Sequence, residues 1–598
     1  MKNLLTGNEA VALGAVDSGV KYAGAYPGTP STEIVENLSL CKEELYSEWA
    51  PNEKVALEGA IGACYAGVRS LACMKHVGLN VAADPFFTNA YTGVNAGLVV
   101  VSADDPGMHS SQNEQDNRHY AYHANVPMFE PSDSQECYDM MREAYEISEK
   151  YDTPVLMRLT TRVSHSKSIV ERKEKLDVPF RPFEKTPTKY VAVPAVAKGL
   201  KVKVIKRKEE LEKYSETSVF NKAEYYDKKI GVIASGICYQ YAVDVLGKNA
   251  SYLKLGFTYP LPTDLIKEFA SNVEQIYVIE ENDPVMETQI RALGIEVIGK
   301  DRFPLTGEML PQIIRKVILG DANEVTAIDK SDMPARPPAL CSGCPHRGIF
   351  YSLAKNKKRR DRIYISGDIG CYSLGYADPY NAMDSLICMG ASISAAHGAS
   401  KVYDMMGLAE NKAVAVIGDS TFFHTGINSL MNVAYNNSKV ITIILDNRIT
   451  GMTGHQQNPG TGYTAQGDEA LMLDIPTIVK AVGIKNVTTI NPNDLSSVDE
   501  AINSAMEYDG PSVIIARYPC ALKRFSKEDK SEFGEMYVER YSVDAEKCTG
   551  CKNCLRSGCP AISFDKTENK AKISDDSCLG CSICSQICKH DAIKKVVK

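Results

Sequence analysis

No stretch of this chain is apolar for long enough to cross a bilayer. Its most apolar runs, Gly97–Val101 and Val440–Leu445, fall far short of the roughly 20 residues a spanning helix needs. They have the length of strands buried in a parallel sheet. The first 20 residues lack the apolar core of a signal peptide and carry Asn8, Glu9 and Asp17 instead. A cytoplasmic location is expected, with no membrane association. There is also no long basic stripe, and the net charge of −8 argues against a nucleic-acid surface. What remains is the ordinary composition of a soluble globular chain, 44% hydrophobic and 24% charged. With 598 residues it exceeds a single core and predicts roughly three to five domains.

Cysteine is abundant, and its placement decides its meaning. Eighteen occur, eight of them in the last 51 residues. In a reducing compartment such a cluster reads as metal ligation and not as disulfides. Cys548, Cys551 and Cys554 are spaced C-x2-C-x2-C, with Cys559 and Pro560 after them. Cys578, Cys581 and Cys584 repeat the pattern 30 residues later, with Cys588 following. The segment is thus an internal duplication. Paired structural zinc sites are one reading of eight such cysteines. Close triplets favour an iron–sulfur cubane, because three neighbouring thiolates cap three irons from one turn.

The repeat resembles a bacterial two-cluster ferredoxin, in which the fourth cysteine of each run crosses to the other cluster. That resemblance assigns Cys548, Cys551, Cys554 and Cys588 to one [4Fe–4S] cluster and Cys578, Cys581, Cys584 and Cys559 to a second. The sequence departs from the pattern twice. Four residues (Leu555–Gly558) precede Cys559 where three are usual, and Lys589 stands where a proline is usual. Neither change removes a ligand.

A second motif lies upstream. Ala413–Ile417 reads as a strand, Gly418-Asp419-Ser420 as a turn, the stretch to Asn436 as a helix, and Val440–Leu445 as another strand, which ends in Asp446-Asn447. Ligands of open parallel sheets bind at the carboxyl ends of strands, where Asp419 and Asn447 fall. A carboxylate and an amide oxygen are hard donors suited to Mg²⁺ beside phosphates. The pattern resembles the thiamine diphosphate motif, with Ser420 where a second glycine is usual. The likeness implies that Asp419, Asn447 and the carbonyl of Ile449 hold Mg²⁺, with Gly418, Ser420 and Thr450 beside the diphosphate.

Thiamine enzymes bind the cofactor between two α/β domains, so a second one has to supply a glutamate for the aminopyrimidine. Glu53 opens an Ala/Gly-rich helix, Glu53 to Gly67, after the loop Tyr26–Ser31, and lies nine positions before Gly62. It is the candidate catalytic acid/base, with Glu58 as its rival. A dipole-balancing carboxylate at a helix start is the alternative role for either.

The strings Tyr26–Ser31, Met74–Asn80, Ser110–Arg118, Cys341–Arg347 and Gly367–Gly375, taken in order with the cysteine repeat, resemble indolepyruvate ferredoxin oxidoreductase alpha subunits. These belong to the thiamine-diphosphate-dependent 2-oxoacid:ferredoxin oxidoreductases, and the likeness covers nearly the whole chain. It implies an α/β protein: two doubly wound parallel-sheet domains that bind thiamine diphosphate, a transketolase C-terminal-like α/β domain and a ferredoxin-like α+β domain with two [4Fe–4S] clusters. The expected boundaries are a pyrimidine domain at 1–165, a charged connector at 166–227, the transketolase-like domain at 228–325, a diphosphate and Mg domain at 335–535 and the ferredoxin module at 540–598. Pro334, Pro337 and Pro338 mark one border.

The implied reaction is oxidative decarboxylation of an arylpyruvate with coenzyme A, giving the aryl-acetyl-CoA, CO₂ and reduced ferredoxin, in an anaerobic host and with a small beta subunit as partner. By likeness to related two-subunit enzymes, Cys341, Cys344, Cys371 and Cys520 form a third [4Fe–4S] set, although buried thiols or zinc are alternatives there. Thr29, Lys75, His76 and Arg118 are candidates for holding the substrate carboxylate, and His346, His424 and His455 for lining the cofactor pocket. Cys41, Cys64, Cys73, Cys137, Cys238 and Cys388 read as small buried residues. Competing readings are the same chemistry on pyruvate or another 2-oxoacid, a non-oxidative thiamine enzyme with an iron–sulfur appendage, and an electron-transfer hub without catalysis.

Overall fold

Leu98–Asp104 reads Leu-Val-Val-Val-Ser-Ala-Asp and is buried at every position, as a strand covered on both faces must be. It lies at the centre of a seven-stranded sheet with the strands Phe257–Tyr259, Met128–Phe129, Val155–Thr160, Ser70–Lys75, Tyr22–Ala25 and Tyr46–Trp49. All run parallel except Phe257–Tyr259, which pairs antiparallel with Met128–Phe129 at one edge. The computed structural model describes residues 2–320, 333 and 337–596. They divide into two units, residues 1–330 and 331–598.

The first unit holds a second sheet of four strands. Gln275–Ile279, Ile230–Ala234 and Ser251–Leu255 are parallel, and Asn221–Glu224 closes the edge antiparallel. Chain order and sheet membership therefore cross the expected borders. Asn221–Glu224 lies in the expected connector yet joins the following sheet, and Phe257–Tyr259 leaves that region to extend the first sheet. An edge strand of three or four residues has too little periodicity to be read from sequence. The rest of the connector holds Lys167–Glu171, which pairs with Lys2–Thr6, and the 24-residue helix Pro194–Thr217.

The second unit is built on six parallel strands in the order Ser385–Leu386, Ile363–Gly367, Lys412–Gly418, Val440–Asp446, Ser512–Arg517 and Asn486–Ile490. Lys412–Gly418 and Val440–Asp446 are buried throughout. The cysteine-rich end of the chain forms two short antiparallel ribbons, Tyr541–Val543 with Ile593–Lys595 and Ile562–Asp565 with Lys570–Ile573. It packs on the six-stranded domain through an apolar cluster of Leu495, Ile583 and Ile587 with Tyr351. Arg347 ties the two parts together. It is fully buried and donates to the carbonyls of Leu340, Cys341 and Ser557 and to the Tyr380 hydroxyl.

Among the described residues no helix is long and apolar enough to cross a membrane. Pro334 lies outside the described residues, while Pro337 and Pro338 are exposed and in no regular element.

Candidate active site and cysteine clusters

In the first unit Asn52 caps a 14-residue helix, Glu53–Ala66, by accepting from the Val55 amide, and Gly67 ends it in the left-handed region at φ 116. Glu53 is therefore fixed at the first turn. Its carboxylate is buried against Gly78, where a Cβ would come within 2.6 Å of Glu53 Cγ and 2.9 Å of Oε1. A glycine is required at that close approach. Glu58, one turn on, is exposed and ion-paired with Lys54.

Lys75 ends the strand Ser70–Lys75, and His76 begins the next helix. The Lys75 ammonium is buried and donates to the Ser110 carbonyl at 2.6 Å and its hydroxyl at 3.3 Å. Burial lowers its pKa to about 8, with Asp105 opposing. His76 is fully buried, with Nε2 3.1 Å from Asn113 Oδ1 and Nδ1 without a hydrogen-bond partner. Burial holds it below the usual imidazole range. Thr29 precedes Pro30 in the loop after Tyr22–Ala25, and its carbonyl accepts from the Ser110 hydroxyl at 3.3 Å. Thr29, Lys75 and Ser110 thus form one local group.

Arg118 is a correction. The sequence pattern offers it as a carboxylate binder, but the guanidinium is 1% exposed and committed within the protein. It bonds Asp116 at 2.5 Å, Glu280 at 2.6 Å and the carbonyls of Glu281 and Asp283. With Arg158, Asp104 and Glu130 it belongs to a buried ionic network. Such a network holds only while every charge is compensated, so the fork is not available to a substrate.

In the second unit Gly418 aligns with Leu445 in the parallel register. Asp419 and Asn447 therefore leave neighbouring strands almost level. The expected turn at Gly418–Ser420 is instead a strand running directly into helix. Asp419–Thr421 is helical, followed by a π-helical stretch Phe422–Gly426 and the helix Ile427–Tyr435. Single π segments of this kind occur often at functional sites. Asp419 is buried, and burial with the nearby Asp446 charge pushes its carboxyl up to about 7. A divalent cation is the natural compensation for such a group. Asn447 Oδ1 accepts from the Ile449 amide at 3.2 Å, and Thr450 donates to Ser420 Oγ at 2.9 Å.

Asn458, which the sequence motif does not include, donates to Asp419 Oδ2 at 3.3 Å. His346 is buried, its pKa lowered to about 4 by burial, and its Nε2 lies 3.4 Å from Asn447 Nδ2. His424 lies buried inside the π-helical stretch.

The eight C-terminal cysteines fall into two sets. Cys548, Cys551, Cys554 and Cys588 line one cavity, and none of the other four reaches it. Cys588 thus crosses from the second run to the first. Burial raises the Cys581 thiol, and the charges of Cys559 and Cys578 add to the shift. That places Cys559 with the second triplet. Burial likewise raises Cys344, with Cys371 and Cys520 contributing, and Cys371, with Cys520 and Cys341 contributing. Cys341, Cys344, Cys371 and Cys520 are therefore neighbours.

This third set adjoins the Asp419 and Asn447 strand ends. The Cys520 amide donates to the Asn447 carbonyl at 3.0 Å, and a Cβ on Gly451 would lie 3.6 Å from Cys371 Sγ and 3.8 Å from Asn447 Nδ2. His455, at φ 67, places Nε2 3.8 Å from Cys520 Sγ. Arg347 feels the charges of Cys559, Cys344 and Cys581 and so stands between the third set and the second.

Among the described residues no three His, Cys, Asp or Glu side chains converge tightly enough to hold a single metal ion. The Cys548 thiols surround a cavity instead. Of the remaining cysteines Cys64, Cys73, Cys137 and Cys238 are buried as expected, whereas Cys41 is half-buried and Cys388 exposed. Cys388 lies in the short turn before the helix Ala391–Met405, where nothing packs over it fully.

Three family profiles match the chain. The thiamine diphosphate domain of pyruvate flavodoxin/ferredoxin oxidoreductases matches residues 13–206, the C-terminal thiamine pyrophosphate-binding domain matches 368–516, and a 4Fe-4S dicluster domain matches 540–589. Among curated proteins the chain is similar to the indolepyruvate oxidoreductase subunit IorA of Methanothermobacter thermautotrophicus, 43% identical over 99% of this chain and 97% of that one. The subunits of the same name from Pyrococcus horikoshii and Archaeoglobus fulgidus are 40% and 39% identical, over 100% and 99% of this chain and 97% of each relative. The dicluster match sets zinc aside for the C-terminal repeat.

Proposed function

The chain belongs to the family of indolepyruvate oxidoreductase IorA subunits, and from that premise we propose that it oxidatively decarboxylates arylpyruvates, passing acyl groups to coenzyme A and electrons to ferredoxin. The chain is an oxidoreductase with thiamine diphosphate and 4Fe–4S domains. A small beta subunit completes the enzyme in this reading.

The observation that carries the redox part lies in the second unit. The strand ends bearing Asp419 and Asn447 share one packed unit with three cysteine sets, the nearest beginning beside Asn447 and Gly451. A non-oxidative thiamine enzyme has no use for such a chain of thiols, and an electron hub has no use for the Asp419 site.

The residues present fit the groups assigned to them. Asp419, Asn447 and the Ile449 carbonyl are hard donors for Mg²⁺, and Asn458 steadies the Asp419 carboxylate from the other side. Bound thiamine diphosphate supplies the carbon nucleophile and electron sink that a 2-oxoacid needs to lose CO₂. Glu53 holds and returns a proton at the aminopyrimidine. Lys75, with Thr29 beside it, offers the substrate carboxylate a buried cation. Cys341, Cys344, Cys371 and Cys520 would hold a third cluster, and one-electron chemistry is what such a group would supply beside the Asn447 strand end.

The test is anaerobic viologen reduction by the two-subunit enzyme with thiamine diphosphate, Mg²⁺ and coenzyme A, across indolepyruvate, phenylpyruvate, pyruvate and 2-oxoglutarate. Coenzyme-A-dependent reduction fastest with the aryl substrates supports the proposal. A preference for pyruvate or 2-oxoglutarate overturns its aryl part and leaves the rest.

A further inference from the structure

The chain carries a net charge of −8, yet its cysteine-rich end from Arg540 to Lys598 has eleven Lys and Arg against seven Asp and Glu. Four of these lysines lie around one of the two cysteine sets, with Asp544 and Asp591 among them. Lys547 and Lys589 adjoin Cys548 and Cys588 in the chain and are exposed, and Lys552 and His590 line the Cys548 cavity. Lys594 stands beside Lys547, whose ammonium is the first cause holding it below the usual lysine range. Two like charges side by side on a surface are unfavourable, and Asp544 and Asp591 offset the effect on Lys594 only in part. By contrast Lys572 and Lys595, farther along the two ribbons, pair with Asp565 and Glu539. Cys551 is itself exposed, so the set reaches the surface inside this basic rim.

The other set meets solvent differently. A groove reaches Cys581 and is lined by Asp494, Glu535 and Glu539 with Tyr518, Tyr537 and Tyr541. Its carboxylates repel the anionic partner that the basic rim attracts.

We propose that the face around Cys548, Cys551, Cys554 and Cys588, rimmed by Lys547, Lys552, Lys589 and Lys594, docks a small acidic iron–sulfur protein that takes electrons from this set. The inference rests on the redox reading above and adds the exit to it. Electrons enter at the third set, pass the second beside Arg347, and leave from the Cys548 set. Each transfer oxidises the donor cluster by one electron and reduces the acceptor cluster by one, with no bond made or broken.

The test reverses charge at Lys547, Lys589 and Lys594, each to Glu, in the full chain with its partner subunit. An acidic two-cluster ferredoxin and a viologen serve as acceptors, and iron content and cluster spectra are checked first. The expected result is a fall of about 10- to 1,000-fold in kcat/KM for ferredoxin, the range over which electrostatic steering acts. Viologen reduction stays unchanged, and rising salt closes the gap between wild type and variant. Calorimetric titration of the oxidised ferredoxin should show the same loss of affinity. Unaltered ferredoxin kinetics and binding would overturn the proposal, as would a larger loss from Lys substitutions at Asp494, Glu535 and Glu539. Wild-type enzyme that reduces no viologen would sink the redox reading instead, and calorimetry would still decide the docking.

Discussion

Replacing Glu53 by Gln separates a catalytic carboxylate from a structural one. The amide has the same shape, so it keeps the packing over Gly78 that brings Cγ and Oε1 so close. What it loses structurally is a negative charge in the first turn of Glu53–Ala66, worth about 0.3–1 kcal/mol through the helix dipole. That cost leaves a domain of this size folded. What it loses chemically is proton transfer at the cofactor, typically worth 10²–10⁴ in rate, or about 2.7–5.4 kcal/mol of barrier. Chemistry therefore exceeds structure several-fold, and kcat should fall at least 100-fold with melting temperature and iron content nearly constant. The assay is arylpyruvate-driven viologen reduction, beside a control in which dithionite reduces the clusters directly. Glu58→Gln supplies the comparison, because its exposed pair with Lys54 is worth only about 0.3–0.5 kcal/mol and the variant should keep full activity. An E53Q enzyme retaining more than about a tenth of wild-type kcat, or an equal loss in E58Q, would refute the assignment.

Cys588→Ser should abolish the spectroscopic signal of the Cys548 set and spare that of the Cys578 set, as read by electron paramagnetic resonance of the reduced protein. Loss of the Cys578 signal instead would contradict the crossover. His455→Phe removes the Nε2 contact with Cys520 Sγ, so the third cluster should become harder to reduce, because hydrogen bonds to cluster sulfur raise the potential. Redox titration reads the shift, and an unmoved potential would remove His455 from that role. Burial lowers Lys75 to about 8, and only its charged form attracts a carboxylate. KM for the 2-oxoacid should therefore rise as pH climbs through about 8, with the pH-dependent step absent in Lys75→Met.

The parts legible in the sequence were those in which chemistry dictates spacing. Eight thiolates around two cubanes leave a C-x2-C-x2-C signature, and the crossover of Cys588 was implied by the ferredoxin resemblance that this signature carries. The proposed metal-binding strand ends put Asp419 and Asn447 a helix and a strand apart. Other features depend on three-dimensional neighbours that no local pattern encodes. Arg118 belongs to a motif string, but its partner Glu280 is 162 positions away, and that pairing turned an expected substrate contact into a buried strut. Asn458 reaches Asp419 across 39 positions, and Arg347 joins the cysteine module by a bond to Ser557 spanning 210. The short strands Asn221–Glu224 and Phe257–Tyr259 are held by the sheet edges they meet, so their own residues do not announce them. Gly78 lies within the string Met74–Asn80, but the need for a glycine there appears only where the Glu53 carboxylate lies over it.

The central claim is that 2-oxoacid decarboxylation and cluster reduction are one process in this chain. The most direct measurement is an anaerobic single turnover. The oxidised two-subunit enzyme is mixed with indolepyruvate, without any external acceptor, and the clusters are followed by visible bleaching and by electron paramagnetic resonance. Reduced-cluster signals should grow with CO₂ release, be absent without thiamine diphosphate, and be lost in E53Q while dithionite still reduces every cluster. Carbon dioxide released with the clusters left oxidised, in protein whose iron content is intact, would contradict that claim.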